Sequence, residues 1–195
     1  MHEVRVAAAT ALSRLREGNA RYAADLRSLD SLLSHRRKAA LSAAQQEPWA
    51  IILGCSDSRV PAEVVFDQGL GDLFVIRVAG NVVAPSQIGS VEFAAARFGT
   101  RLVVVMGHTH CGVVQAALEP DPPDTRNQAS IVERVRAALG TGTYSVEEAV
   151  RINVRASVAA LRSGSPLLRE LALEGGLQIV GACYCLESGQ VQFLD

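Results

Sequence analysis

Two short stretches of the sequence hold side chains that could act together in metal chemistry. GCSDSR follows the apolar run WAIIL, and HTHCG follows the apolar run LVVVMG. The first stretch contains Cys55, and the second contains His108 and Cys111. Thiolate and imidazole are ligands that zinc prefers, and three protein ligands leave one tetrahedral position open, as in catalytic zinc sites. A zinc ion in such a site lowers the pKa of its bound water from about 15.7 to about 7.

The first stretch also contains an acidic and a basic residue, Asp57 and Arg59. They are close enough in sequence for a guanidinium–carboxylate pair, which would keep Asp57 ionised and orient it as an acceptor for zinc-bound water. The alternatives are an ordinary surface ion pair and, for each cysteine alone, packing at a strand end. The presence of all these groups together favours the zinc site.

The elements that must position these groups are strands of a parallel sheet. Four segments read as strand regions, the last of them as two strands around a Ser-Gly turn: WAIILG, DLFVIRV, RLVVVMG and GLQIVGACYCLESGQVQFL. Continuous apolar strands are typical of parallel sheets that are covered on both faces. Ligands of such sheets gather at the carboxyl ends of the strands, so Cys55 and His108 should meet there.

Helices are predicted between and around these strands, which indicates an α/β fold with a mainly parallel central sheet. Apolar residues at helical spacing predict an amphipathic N-terminal helix around Leu12 to Leu26. The other predicted helices cover Ser31–Gln46, a short stretch after Pro61, GSVEFAAARFG, a segment from Gly112, and the ranges 129–139, 145–162 and 166–174. We expect one domain over residues 1–195, with a helical arm (1–46), a zinc-binding α/β core (47–195) and a C-terminal strand pair.

Composition excludes several classes of protein. The 195 residues carry a formal net charge of −1, which argues against a nucleic-acid partner. The longest apolar runs are too short to span a bilayer, and the N-terminal stretch lacks the apolar block of a signal peptide. A cytoplasmic location is therefore expected, where the four cysteines would not form disulfides.

CSDSR followed by HTHCG resembles the zinc signature of the β-class carbonic anhydrases, and FVIRVAGN and GACYCLESGQVQFL resemble that family in order and spacing. The resemblance implies a zinc-dependent lyase in which zinc-bound hydroxide hydrates carbon dioxide reversibly to bicarbonate and a proton. It implies one Zn²⁺ per chain held by Cys55, His108 and Cys111, with Asp57 and Arg59 as the orienting pair. In some members the equivalent aspartate binds the zinc, so Asp57 is expected to do so at lower pH if its pair with Arg59 opens.

The resemblance also implies a substrate pocket. Its residues would be Gln46, Phe74, Ala79, Gly80 and Phe93, although both phenylalanines could equally be ordinary core residues. Members of the family assemble as homodimers or homotetramers, with pockets at the subunit interface and N-terminal helices that reach across a neighbour, and the same is expected here.

Three alternatives compete with this function. A hydrolase of carbonyl sulfide or carbon disulfide would use the same zinc scaffold. A zinc sensor or structural domain without catalysis would gain nothing from Asp57 and Arg59 beside an open position. A cysteine phosphatase is poorly supported, because its loop places five residues between cysteine and arginine. His110, Cys183 and Cys185 are expected to have no catalytic role.

Overall fold

The computed structural model describes residues 6–26, 46–121 and 123–194. Its five strands form one sheet in the order β2-β1-β3-β4-β5, in which β1 to β4 are parallel and β5 is antiparallel to β4. The strands are β1 (Ala50–Gly54), β2 (Leu73–Arg77), β3 (Leu102–His108), β4 (Gln178–Tyr184) and β5 (Val191–Leu194). The mainly parallel sheet and the C-terminal strand pair predicted from the sequence are thus confirmed.

Helices precede, connect and flank these strands. They are α1 (Ala8–Ala23), α2 (Ala62–Val65), α3 (Pro85–Arg97), α4 (Gly112–Leu118), α5 (Arg126–Leu139), α6 (Val146–Gly164) and α7 (Pro166–Glu174). The helix α3 begins earlier than the sequence pattern indicates, because Pro85 is pre-organised for the first helical position. The helix predicted over Ser31–Gln46 lies almost entirely outside the described residues. No helix within the described ranges is long and apolar enough to cross a membrane.

The central strands lie between two layers of helices. Every residue of β1 and β3 is buried. One face of the sheet packs against an apolar cluster that includes side chains of α3, α6 and α7, and the other face packs against α1 and α2. A third cluster joins α4, α5 and α6 beside the carboxyl ends of the strands. Burial on both faces explains why these strands read as continuous apolar runs.

The helix α1 packs against its own chain. A Cβ atom on Gly18 would lie 1.9 Å from the carbonyl oxygen of Phe66, so only glycine permits this approach. The Asn19 side chain donates hydrogen bonds to the carbonyl oxygens of Val65 at 3.0 Å and Gly189 at 2.9 Å. The buried apolar residues of α1, among them Ala11 and Leu15, thus pack within their own chain, whereas Leu26 just beyond the helix is 73% exposed.

Candidate metal centre and active site

The carboxyl ends of β1 and β3 bring three potential metal ligands together. The two strands are parallel neighbours with Gly54 opposite Met106, so Cys55 directly after β1 lies near His108 at the end of β3. Cys111 precedes the first residue of α4. The ligand atoms of the cluster Cys55, His108 and Cys111 all lie within 4.8 Å of one another, and all three residues are buried. The structure thus places side by side the three residues that the sequence motifs indicate.

The imidazole of His108 is oriented for a metal ion. Its Nδ1 lies 2.9 Å from the carbonyl oxygen of Thr109. A carbonyl can only accept, so Nδ1 carries the proton and Nε2 keeps a free lone pair. Nε2 is buried and has no hydrogen-bond partner among the described residues. Such an unsatisfied buried atom costs roughly 1–3 kcal/mol, and a metal ion would provide its partner.

The electrostatics of the two thiols favour a thiolate in the cluster. The contact with Cys111 is the main cause that lowers the pKa of Cys55 to about 4, and the backbone N–H groups of Asp57 and Gly80 contribute. The same contact raises the pKa of Cys111. Metal binding requires deprotonated cysteines and a neutral histidine. Two sulfurs and one imidazole nitrogen, with one thiol already prone to ionise, fit a zinc ion.

Asp57 and Arg59 form a two-point ion pair next to this cluster. Arg59 donates from Nε to Oδ1 at 2.9 Å and from Nη2 to Oδ2 at 2.7 Å, and its backbone N–H donates to Oδ1 at 2.9 Å. These hydrogen bonds hold the pKa of Asp57 well below its usual range. Oδ2 lies 3.9 Å from Nε2 of His108. An ionised carboxylate therefore borders the ligand set.

Arg77 is a site residue that the sequence motifs did not indicate. Its side chain donates to the carbonyl oxygen of Cys55 at 3.1 Å and to that of Asp57 at 2.5 Å. It thereby holds the backbone that carries the first ligand and the carboxylate. The available signal was a charged residue at the end of β2, directly opposite Gly54 in the register.

The loop between β3 and α4 is held by the turn between β4 and β5. The backbone N–H of Thr109 donates to the carbonyl oxygen of Tyr184 at 2.9 Å, and its hydroxyl accepts from the N–H of Leu186 at 3.0 Å. His110 adopts a left-handed backbone conformation, with φ of 54°, and its Nε2 lies 2.7 Å from Oε1 of Glu187. The imidazole of His110 is thus paired with an exposed carboxylate.

The five residues assigned to a substrate pocket are separated within one chain. Ala79 and Gly80 form a turn beside Cys55, where the backbone N–H of Gly80 lies 3.4 Å from the sulfur. Gln46 is exposed. Phe74 lies opposite Ile51 near the start of β1, four positions and roughly 13 Å of strand from Cys55.

Phe93 is 54% exposed, and its ring centroid lies 6.4 Å from that of Phe74. Phe98 completes this aromatic cluster. The two phenylalanines thus pack with each other, away from the metal ligands of their own chain.

Comparison with known proteins agrees with this geometry. A family model described as carbonic anhydrase matches residues 50–191. The chain is 41% identical over 188 residues to carbonic anhydrase 2 of Mycobacterium tuberculosis, covering 93% of this chain and 90% of the relative. It is 38% identical over 185 residues to the carbonic anhydrase of Mycolicibacterium smegmatis, covering 91% and 89%.

Solved structures show the same fold. A tetrameric β-carbonic anhydrase of Sordaria macrospora superposes with a TM-score of 0.73 at 26% identity, covering 94% of each chain. A β-carbonic anhydrase of Aspergillus fumigatus superposes with a TM-score of 0.74 at 29% identity, covering 96% of this chain and 90% of that one. With two cysteines and a histidine close together at the strand ends, and relatives that match over nearly the whole chain, this protein belongs to the β-carbonic anhydrase family.

Proposed function

We propose that this chain is a zinc-dependent carbonic anhydrase, which interconverts carbon dioxide and bicarbonate with release or uptake of a proton. The observation that carries the proposal is the convergence of two thiols and the unpartnered Nε2 of His108 within 4.8 Å. An ionised Asp57 stands beside them. A purely structural site has no use for such a carboxylate next to an open coordination position.

The metal would be held by Cys55, His108 and Cys111, one ion per chain. When bound, zinc lowers the pKa of a water molecule to about 7 and so supplies a strong nucleophile at neutral pH. Thr109 contributes by accepting from Nδ1 of His108, which fixes the tautomer that presents a lone pair at Nε2.

Asp57 would orient the reacting water. Because Arg59 keeps this carboxylate ionised, Asp57 can only accept a hydrogen bond. A water molecule that donates one O–H to Oδ2 leaves a lone pair of its oxygen for the carbon atom of carbon dioxide. Arg59 binds both carboxylate oxygens, so it limits rotation of the group that sets this orientation.

The proton released in hydration would leave through the exposed side of the pair. The side chain of Asp57 is 18% exposed and that of Arg59 is 54% exposed, whereas His108 is fully buried. Solvent therefore reaches the site past the pair, and this is the path we assign to the proton.

The substrate pocket would be completed by a second copy of the chain. Phe74 and Phe93 lie on the edge strand β2 and on α3, in a partly exposed aromatic cluster, and one protein with this fold is described as tetrameric. In a homodimer or homotetramer, the cluster of one copy would line the pocket formed by Gln46, Ala79 and Gly80 of another. A small apolar substrate suits such a wall.

Carbon dioxide is the substrate that we assign to the site. The relatives described above are named carbonic anhydrases, which favours carbon dioxide over carbonyl sulfide or carbon disulfide. A cytoplasmic location stays a prediction from the sequence.

The test combines metal analysis with a stopped-flow assay of carbon dioxide hydration. We expect one zinc per chain in the purified protein, and activity that a chelator removes and added zinc restores. Hydrolysis of carbonyl sulfide and carbon disulfide is measured in parallel. A chain that binds no zinc, or that turns over only the sulfur compounds, would overturn the proposal.

A further inference from the structure

A sharp turn donates a backbone hydrogen bond to one of the sulfur ligands. In the turn Ala79–Asn81, the N–H of Gly80 points at Sγ of Cys55 at 3.4 Å. Gly80 has φ of +68°, and a Cβ atom there would lie 2.8 Å from Cγ1 of Val113, so glycine is needed at this point. A hydrogen bond to a thiolate ligand stabilises its charge and fixes its position.

Two side chains of α6 hold this turn from behind. The Nδ2 of Asn153 donates to the carbonyl oxygen of Gly80 at 2.8 Å, and the hydroxyl of Ser157 donates to the carbonyl oxygen of Asn81 at 3.0 Å. Asn153 and Ser157 are 3% and 4% exposed. They lie four positions apart and so share one face of the helix. The carbonyl oxygens of Gly80 and Asn81 thus each have a buried side-chain donor.

Close packing of α6 on the sheet brings Asn153 and Ser157 within hydrogen-bond distance of the turn. A Cβ atom on Gly107 of β3 would lie 2.7 Å from Cγ2 of Val154, and one on Gly181 of β4 would lie 2.8 Å from Cγ1 of the same valine. Larger residues at either glycine would push the helix away. The two glycines therefore set the distance at which the polar side chains of α6 meet the turn.

The buried face of α6 is otherwise apolar. Its other buried residues are Ala149, Val150, Val154, Val158 and Leu161. Placing an amide and a hydroxyl on such a face costs free energy unless both find partners. The partners they find belong to the turn whose Gly80 N–H contacts the Cys55 sulfur. The hydrogen bonds to the turn therefore offset the free-energy cost of burying these two polar side chains, and they also fix the position of the turn.

We infer that Asn153 and Ser157 are positioning residues for the metal centre. They fix the turn Ala79–Asn81 so that the N–H of Gly80 stays directed at the Cys55 sulfur, and thereby set how tightly the chain holds its metal. This inference rests on the zinc ligands assigned under the proposed function. The competing explanation is that the two side chains only satisfy buried carbonyls and stabilise the fold.

The experiment compares three variants with a structural control. Asn153→Leu removes the amide at nearly constant volume, and Ser157→Ala removes the hydroxyl. The double variant combines both changes. The control is Ser165→Ala, because Ser165 is also buried and caps α7 through the N–H of Leu168 without contacting the turn. It should lower the thermal midpoint and leave the metal centre intact.

Each zinc-loaded protein is mixed with excess chelator, and the rate of zinc loss is recorded at a temperature well below every thermal midpoint. We expect Asn153→Leu to lose zinc about tenfold faster than the parent, the lower end of the range for residues that support a ligand. Ser157→Ala should show a smaller increase and the double variant the largest. In the cobalt-substituted proteins, the thiolate-to-cobalt absorption should shift in the same order. Ser165→Ala should match the parent in both measurements.

The inference is overturned if Asn153→Leu and Ser157→Ala lose zinc at the parent rate with an unchanged cobalt spectrum, whatever their thermal midpoints. If Asn153→Leu fails to fold, Ser157→Ala decides between the two explanations in the same way. A parent protein that holds no zinc would instead overturn the proposed function, so the two failures are distinguishable.

Discussion

Asp57 and Asp67 each form a short ion pair with an arginine, but the Asp57 pair borders the cluster of Cys55, His108 and Cys111 and the Asp67 pair joins α1 to the end of α2. Arg59 lies 2.7 Å from Oδ2 of Asp57, and Arg21 lies 2.6 Å from Oδ2 of Asp67. The Asp57 pair makes two side-chain hydrogen bonds, whereas Arg21 reaches one oxygen of Asp67 and the other, Oδ1, has no hydrogen-bond partner among the described residues. Residue types and distance are therefore a poor guide to function, and position relative to the ligand set is the better one.

The largest effect is expected when the ligand set itself is broken. In Cys55→Ser, one soft sulfur ligand is replaced by a hydroxyl that does not ionise near neutral pH, so zinc content should fall from about one per chain to near zero. Hydration activity should fall by at least about 10³-fold, because the nucleophile depends on the metal. Metal analysis and stopped-flow assay measure both.

Cys183→Ser is the matched control, since Cys183 packs against the same apolar cluster as Cys55 but does not belong to the group of potential metal ligands. It should keep its zinc. If Cys55→Ser kept zinc and activity, the metal-centre assignment would be wrong.

The comparison of the two pairs is tested directly by Asp57→Asn and Asp67→Asn. The first change replaces an obligate acceptor with an amide that can donate, so the reacting water loses its orientation and kcat should fall about 10²-fold with zinc content unchanged. Asp67 has a left-handed backbone, with φ of 47°, which asparagine also adopts readily.

Asp67→Asn should therefore stay within about twofold of the parent in kcat, because Asp67 is paired with Arg21 of α1 and not with the groups at the strand ends. Equal losses of kcat in the two variants would mean that the position of Asp57 has no catalytic meaning.

Replacing each arginine should change kcat in the same order as replacing its aspartate: Arg59 should matter and Arg21 should not. The loss of kcat should be smaller than for the aspartates. Arg59→Gln leaves the carboxylate in place and removes the group that holds both of its oxygens, so kcat should fall about tenfold. Arg21→Gln should leave kcat unchanged and lower the free energy of unfolding by roughly 1–3 kcal/mol, because the Asp67 side chain, only 6% exposed, loses its ion-pair partner. Steady-state kinetics and urea unfolding of all four variants, the two of aspartate and the two of arginine, distinguish effects on kcat from effects on the free energy of unfolding.

The smallest expected effect is on how the free energy of unfolding depends on pH. Arg59 lowers the pKa of Asp57 in the folded chain below its unfolded value. The pair therefore stabilises the fold above the ordinary carboxylate pKa of about 3.9, and this contribution is lost as pH falls toward the folded pKa.

In metal-free protein, Asp57→Asn should lower the free energy of unfolding at pH 6 by less than about 1 kcal/mol, since Arg59 is half exposed, and by a smaller amount at pH 3. Urea unfolding at the two pH values checks this. If Asp57→Asn lowered the free energy of unfolding more at pH 3 than at pH 6, the predicted direction of the pH dependence would be wrong.

Local features were predicted well where capping and periodicity act over a few residues. The helix α7 begins at Pro166 and ends at Glu174, as predicted, because a proline in the first turn and the Ser165 cap define its start. The apolar pattern of the sequence starts α3 at Gly89, four residues after its true start at Pro85, because the residues before Gly89 lack helical periodicity of apolar side chains. For Phe74 and Phe93 the sequence permits both a pocket and a core position, because exposure depends on which strand lies at the edge of the sheet.

Residue type and spacing were enough to predict an α/β chain and its family, and to indicate the three residues that the structure brings together at the strand ends. Strand periodicity and the motifs around Cys55 and His108 are local patterns, and parallel strands bring their carboxyl ends together as a matter of geometry. The roles of Arg77, Asn153 and Ser157 depended on the tertiary structure. Each of them acts on a backbone carbonyl distant in sequence, and such contacts are specified by strand register and helix packing, which no local pattern encodes.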